Sequence, residues 1–347
     1  MANHKITQKD IAEALGLSLS TVSKVFNGSK TISAKVHTVV IKKAIEMGYK
    51  NVNPEMLKEL EPAPLSDGTV AFCCRRNEMT GEYWPRIIRG VENALRKAGI
   101  SLMLCITDLS EEEKPELPSA LTNMPHKGII TLAKFPKEYY RKINDLGLPW
   151  ISIDTAPDMG SPNIMSDIVT VNNSEAVWKI TERLIRQGHT EIAFVGDVKT
   201  SLAYRERWEG YARAMREADI ALKEKFCITS PRPKNYFDFE AELKEPLSEI
   251  AGEVTAIVCA ADVIALYIVH YLSGAGYRVP EDICVSGFDD IKESGRTSLT
   301  SVKNYPEHVG NKAGEQLLSR IADAEQPLEI IRIETQVLFR DSTNKVM

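Results

Sequence analysis

The residues best suited to chemistry lie near the start of the chain. Between Ser18 and Asn27, Val22, Val25 and Phe26 fall at i, i+3 and i+4, which predicts a short helix with an apolar inward face. Its outward face then carries Leu19, Ser20, Ser23, Lys24 and Asn27. A lysine ammonium can donate to guanine O6 or N7, a serine hydroxyl donates or accepts, and a leucine touches a thymine methyl. This is the chemistry of recognition, not of bond making.

Two neighbouring helices must hold that face in place. Thr7 with Asp10 three residues on is a helix-start pattern, Ile11, Ala12 and Leu15 give the first helix its apolar stripe, and Gly16 ends it. Ser18 caps the second helix, and Asn27-Gly28 is a turn pair. Ser33 caps a third, with Val36, Val39, Val40, Ala44 and Met47 inward and Gly48 at its close. A helix, a tight glycine turn and a second helix with a polar outer face is the helix-turn-helix layout, in which the second helix enters the major groove. On residues alone, a three-helix head that contacts protein instead of DNA stays open as the alternative.

Charge distribution favours the polyanion. Residues 1–50 hold eight lysines against Asp10, Glu13 and Glu46, net +5, so the rest of the 347-residue chain is net −10. A basic head on an acidic body suggests a separate nucleic-acid module. Hydrophobic residues at 43% and charged residues at 26% describe an ordinary folded chain, and no apolar run is long enough to cross a membrane. No apolar signal core opens the sequence, so a cytoplasmic protein is expected.

The segment Glu61–Gly68, with prolines at 62 and 64, breaks any helix and reads as a linker. Beyond it, apolar runs at Thr69–Cys74, Leu102–Ile106, Gly128–Leu132, Trp150–Ile153, Ile192–Val195, Ala256–Cys259 and Ile283–Val285 predict strands. Amphipathic stretches at Trp84–Ala98, Lys137–Leu146, Ser174–Gln187, Arg205–Ala218, Phe237–Ile250 and Val263–Ser273 predict helices between them. Such alternation means α/β architecture with parallel sheets, and its length calls for two lobes.

Catalysis has no motif to rest on. G-x-S-x-G, H-E-x-x-H and the phosphate-loop pattern are all missing. Gly196–Thr200 lacks the second glycine of a phosphate loop, and Gly274-Ala275-Gly276 precedes a strand instead of following one. The six cysteines form no C-x-x-C and sit mostly in apolar runs, and the six histidines are scattered. Buried free thiols are expected, with no metal and no cofactor.

The stretch KITQKDIAEALGLSLSTVSKVFN (Lys5–Asn27), with Gly28, Ser33-Ala34-Lys35 and Gly48-Tyr49, closely resembles the DNA-binding head of the lactose/galactose repressor (LacI/GalR) family. Further matches follow in order: Gly188–Ala193, RERWEGY at Arg205–Tyr211, Val279–Asp290, Leu299–Val302 and Phe339–Thr343. The resemblance implies a helix-turn-helix head at 1–50, a hinge helix and linker at 51–67, and a two-lobed periplasmic-binding-protein-like core at 68–343. The expected N-lobe is about 68–170 and 305–330, and the C-lobe about 171–300 and 331–343.

By that resemblance Leu19, Ser20 and Lys24 read bases, while Thr7, Ser18, Thr21, Ser23, Asn27, Thr31 and Ser33 contact phosphate or cap helices. Lys24 stands where the family usually has arginine, and it lacks the planar fork of that side chain. The hinge candidate is Asn53–Leu60, its leucine pattern two residues late, with Leu60 the first choice for a minor-groove wedge and Leu57 the second. In the core the resemblance assigns Asp154, Arg207 and Asp289 to the effector. Two acids and an arginine suit adjacent hydroxyls. Trp84 and Tyr83, and Tyr236 or Phe237, are candidate apolar walls. Ala261 replaces the family's asparagine, which predicts an altered ligand pose.

The expected protein is therefore a transcriptional regulator, a repressor first of all. It acts as a homodimer on a near-palindromic double-stranded operator under a small polar effector, with a carbohydrate the leading candidate. No apolar heptads follow Thr343, so no coiled-coil tetramer tail is expected. A small-molecule-binding protein or enzyme that uses the same α/β core without DNA, its three-helix head contacting protein, is the rival class.

Overall fold

The computed structural model describes residues 6–27, 32, 34–50, 68–76, 81–107, 116–132, 135–160, 163–230 and 239–344. Thr31, Ser33, Leu57, Leu60, the 51–67 hinge and linker, Tyr236 and Phe237 lie outside the described residues. The chain divides into two compact units, residues 1–66 and 67–347.

The first unit holds α1 (Gln8–Leu15), α2 (Leu19–Phe26) and α3 (Ala34–Glu46). Ile11, Ala12, Val22, Val25, Val40, Ile41 and Ala44 form its core, with Phe26, Val36, Met47 and Tyr49 packed around them. Val39, expected inward, is 44% exposed, and Ile41 is buried instead. From Val36 the buried stripe runs through Val40, Ala44 and Met47, with Ile41 flanking it; Val39 falls on the other flank. Gly16 takes a left-handed φ of +63° to end α1, a conformation glycine adopts without a Cβ penalty.

The second unit begins with β1 (Thr69–Arg75), α4 (Tyr83–Lys97), β2 (Ser101–Thr107), α5 (Ser119–Asn123), β3 (Gly128–Leu132), α6 (Lys137–Asn144), β4 (Trp150–Ile153) and β5 (Asp167–Val171). It continues with α7 (Asn173–Arg186), β6 (Ile192–Val195), α8 (Leu202–Glu217), β7 (Cys227–Ile228), α9 (Glu240–Ile250), β8 (Ala256–Cys259) and α10 (Asp262–Gly274). Last come β9 (Cys284–Ser286), α11 (Lys292–Arg296), β10 (Ser301–Lys303), α12 (Pro306–Ala322), β11 (Ile330–Ile333) and β12 (Gln336–Leu338).

The strands build a six-stranded parallel sheet in the order β11-β5-β4-β3-β1-β2 and a four-stranded parallel sheet in the order β7-β6-β8-β9. An antiparallel ribbon, β10-β12, pairs Ser301 with Leu338. The chain thus passes between sheets near residues 172, 304 and 334. All of β11 pairs with β5, so the six-stranded sheet takes in Ile330–Ile333, beyond the residue 330 expected to end the N-lobe.

Close helix crossings are set by glycines. A Cβ on Gly310 of α12 would lie 2.0 Å from the Ile87 carbonyl of α4, and one on Gly210 of α8 would lie 2.1 Å from the Ser174 carbonyl of α7. The glycine of the RERWEGY stretch is therefore a packing requirement. Five of the six free cysteines are buried, with Cys227 half-buried. Among the described residues no helix is long and apolar enough to cross a membrane.

Candidate functional site

In the head, the capping pattern forms as the sequence requires. Thr7 Oγ1 accepts the Asp10 N–H at 3.4 Å, and the Thr7 N–H donates to Asp10 Oδ2 at 2.7 Å. Ser18 Oγ accepts the Thr21 N–H at 3.1 Å, fixing the start of α2, and exchanges hydroxyl contacts with Ser20 and Thr21 at 2.8 Å each. At the other end the Asn27 N–H donates to the Ser23 carbonyl, and its side-chain amide donates to Ser23 Oγ at 3.4 Å. Leu19 is 51% exposed, and Ser20, Lys24 and Asn27 are exposed beside it; Thr21 and Ser23 are half-buried. The sequence-predicted face is thus one solvent-facing surface on a helix anchored beneath by Val22 and Val25.

In the core, a cavity of about 90 Å³ lies between the lobes. Its walls include Trp84, Asp154, Arg207 and Asp289, which brings all four sequence-predicted residues together. They come from the start of α4, the end of β4, the second turn of α8 and the loop after β9. Parallel strands present their carboxyl ends to such clefts by construction.

Arg207 is 4% exposed. Its Nε donates to Asn173 Oδ1 at 2.9 Å and its Nη1 to the Ala260 carbonyl at 2.5 Å. Nη1 also lies 3.7 Å from Asp289 Oδ1, and the guanidinium stacks on Phe288 at 3.5 Å from the ring centroid. These contacts leave Nη2 without a hydrogen-bond acceptor among the described residues. Asp289 Oδ1 accepts from Asn304 Nδ2 at 2.9 Å, while Oδ2 has no donor among the described residues. Burial pushes the Asp289 carboxyl up to about 7 and Asp262 adds to this; Arg207 and Asn304 pull it down. Burial likewise raises the Tyr83 and Tyr204 phenols, so both act as neutral groups.

Trp84 lines the cavity beside Tyr83. Its Nε1 is buried and finds no acceptor among the described residues. Its ring meets Tyr83 edge-on at 4.7 Å. Asp154 differs: both its oxygens are engaged, Oδ2 by the Ser201 hydroxyl at 2.8 Å and Oδ1 by the Ala203 N–H at 3.1 Å.

Tyr204 also lines the cavity and escaped the sequence reading. Its signal was present, since it lies three residues before Arg207 and shares that helix face. Ala261, expected to face the ligand, is fully buried at the start of α10 and is not part of the cavity wall. Its neighbour Asp262 is structural: it accepts from Ser294 and Ser301 hydroxyls at 2.6 Å each and from the Ile291 N–H at 3.0 Å. A Cβ on Gly287 would lie 2.2 Å from that carboxylate, which explains the glycine of Gly287–Asp290. Among the described residues no group of three His, Cys, Asp or Glu could hold a metal.

A head of helix-turn-helix form joined to a two-lobed α/β core with a cavity between the lobes defines a DNA-binding transcriptional regulator with a small-molecule sensing core. Comparison with known proteins agrees. Residues 7–51 match the family described as bacterial regulatory proteins, lacI family, and residues 181–343 match the periplasmic binding protein-like domain. The HTH-type transcriptional repressor PurR of Vibrio vulnificus (strain CMCP6) is 27% identical over 348 residues, 98% of this chain and 99% of the relative. PurR of Pasteurella multocida (strain Pm70) is also 27% identical, over 97% of this chain and 98% of the relative. The solved complex of the regulator CelR with cellobiose superposes with a TM-score of 0.71 at 25% identity, over 97% of this chain and 100% of that one. The chain thus pairs a lacI-family DNA-binding head with a periplasmic-binding-protein-like core, the arrangement of the LacI-family regulators it resembles.

Proposed function

We propose that the protein is a cytoplasmic repressor that releases or engages a near-palindromic double-stranded operator in response to a neutral, hydroxyl-rich effector, a carbohydrate first of all. The observation that carries the effector class is a pair of unmatched groups on two residues of one cavity wall: the Arg207 Nη2 donor and the Asp289 Oδ2 acceptor. A hydroxyl donates and accepts at once, so neighbouring hydroxyls match a neighbouring arginine and carboxylate. The Tyr83, Trp84 and Tyr204 rings suit the apolar C–H face of a sugar ring. The cellobiose bound by the related CelR supports the same class.

On the DNA side, Leu19, Ser20 and Lys24 read base edges, and Thr7, Ser18, Thr21, Ser23 and Asn27 serve phosphate contact or capping. Thr31 and Ser33 belong with the phosphate group, and Leu60, then Leu57, with the hinge wedge. The protein works as a homodimer whose two-fold symmetry matches the operator. The outer face of edge strand β2, with Leu104 at 43% and Ile106 at 39% exposed, suits the subunit contact.

Thermal-shift measurements with cellobiose, glucose, glucose 6-phosphate and hypoxanthine test the effector. A neutral sugar should raise the core transition, by mass action, in wild type and not in Arg207→Ala. Stabilisation by hypoxanthine alone overturns the carbohydrate reading, and stabilisation by glucose 6-phosphate alone overturns the neutral one. Equal stabilisation of Arg207→Ala removes the cavity from the account.

A further inference from the structure

We propose that Asp154 is a positioning residue: it supplies from the N-lobe the N-terminal cap of a C-lobe helix, and so locks α8, with Tyr204 and Arg207 on it, against the cleft. The proposal concerns how the chain holds its own lobes together, so it stands whether or not the effector is a carbohydrate.

The first turn of any helix leaves backbone N–H groups without partners inside the helix. In α8 these groups are answered from across the cleft. The Ser201 hydroxyl and the Ala203 N–H both donate to the Asp154 carboxylate, at 2.8 and 3.1 Å, and the Leu202 N–H donates to the Thr155 carbonyl at 2.9 Å. The Tyr204 N–H turns back to Ser201 Oγ at 3.2 Å. Ser201 is fully buried and Thr155 is 2% exposed, so these bonds are shielded from water. A carboxylate at a helix N-terminus also meets the positive end of the helix dipole.

The backbone of Asp154 is made for this reach. Its φ of +59° is left-handed, a conformation Asp tolerates better than most residues, and its N–H is tied to the Val169 carbonyl of β5 at 3.2 Å. The following turn keeps contact: Leu202 packs where a Cβ on Gly160 would lie 3.2 Å from its methyl. Tyr204 and Arg207 follow Ser201 at steps of three, one above the other on the cleft face of α8. Holding the first turn therefore fixes the side chains that line the cavity. With both its oxygens engaged, Asp154 is poorly placed to receive effector hydroxyls directly.

Hydrogen–deuterium exchange on the full-length protein without added ligand tests this. Asp154→Gly keeps the left-handed backbone and removes the carboxylate. It should speed exchange at Leu202–Tyr204 by at least about tenfold, the scale of a lost bond to a charged acceptor. Asp154→Asn, which keeps an acceptor, should restore most of the protection, and Ser201→Ala should give an intermediate acceleration. Thermal unfolding of each variant separates local opening from global loss of fold. Wild-type protection of Leu202–Tyr204 in both Asp154→Gly and Ser201→Ala overturns the proposal. So does a sugar affinity lost equally in Asp154→Gly and Asp154→Asn with exchange unchanged, which would make Asp154 a direct effector ligand.

Discussion

Helices α2 and α8 both open on a serine and both present side chains to a partner, yet they are held in different ways. In α2 the Ser18 hydroxyl accepts the Thr21 N–H, and the apolar residues beneath, Val22 and Val25, belong to the helix itself. In α8 Ser201 Oγ likewise accepts the Tyr204 N–H, but the Ser201 hydroxyl and the Ala203 N–H are in turn held by Asp154, in the other lobe and 47 residues before Ser201, and Arg207 is fixed by Asn173 of α7 and the Ala260 carbonyl after β8. The first helix is specified by its neighbours in sequence. The second adds to its local cap a set of partners that only the fold supplies. A local device can work on a head that stands as its own unit, whereas a device that spans two lobes ties the ligand site to their arrangement.

The largest effect that should separate the two is steric. Gly210→Ala places a methyl 2.1 Å from the Ser174 carbonyl, and backbone cannot yield as a flexible side chain can. The helix-propensity gain of about 1 kcal/mol is outweighed, and the core should lose about 3 kcal/mol. Calorimetry should show the core transition lowered by several degrees, with binding to random DNA by the head unchanged. An unaltered core transition would mean that α7 and α8 are not in backbone contact.

Next comes the reading face of α2. Lys24→Ala should cost about 1–3 kcal/mol on the cognate operator and much less on random DNA, as loss of a base contact does. Gel shifts at fixed salt measure both. Equal losses on the two DNAs would reassign Lys24 to phosphate, and the α8 cavity should respond to its ligand normally in either case. Ser18→Ala is smaller, about 1 kcal/mol of head stability from a lost cap. Operator affinity of the full chain, followed against temperature, reads the loss. No change there would show that Ser20 or Thr21 supplies the cap.

The same contrast explains what was legible in the sequence. The head was readable because its caps and apolar stripe act within a few residues; among its described residues only Val39 was misplaced, by one flank of α3. Seven core strands announced themselves as apolar runs. Strand β5 was passed over although Ile168, Val169 and Val171 form such a run; its first residue is the buried Asp167, paired with Arg320 at 2.7 Å. Helix α12 was hidden for a related reason. Its buried face carries Gly310, Gly314, Gln316 and Arg320, small residues for the α4 crossing and polar ones with distant partners, which dilute the apolar period of Val309, Ala313 and Leu317. At the cleft, Arg207 and Asp289 could be located by motif, but the engagement of Asp154 by α8 could not, since nothing local marks residues 154 and 201 as partners.

Asp289 offers the finest test, because its environment differs from that of any residue on α2. Its carboxyl is pushed up to about 7 by burial, with Asp262 nearby adding to the shift and Arg207 and Asn304 opposing it. In the unfolded chain the same group loses its proton near 3.8. Between these values the folded protein binds the extra proton, so folding is favoured at low pH and that contribution disappears as pH rises through about 7. The core should therefore lose about 1 kcal/mol between pH 6 and pH 8 that Asp289→Asn does not lose. Denaturant unfolding of both proteins across that range measures the difference. Arg207→Ala removes the group that favours the charged form, so the steep part of the curve should move to higher pH. The head, followed by operator affinity at constant salt, should show no parallel step from this residue. A wild-type core as flat across pH 6–8 as Asp289→Asn would mean that water reaches the carboxyl, and that the cleft around Arg207 is more open than its hydrogen bonds imply.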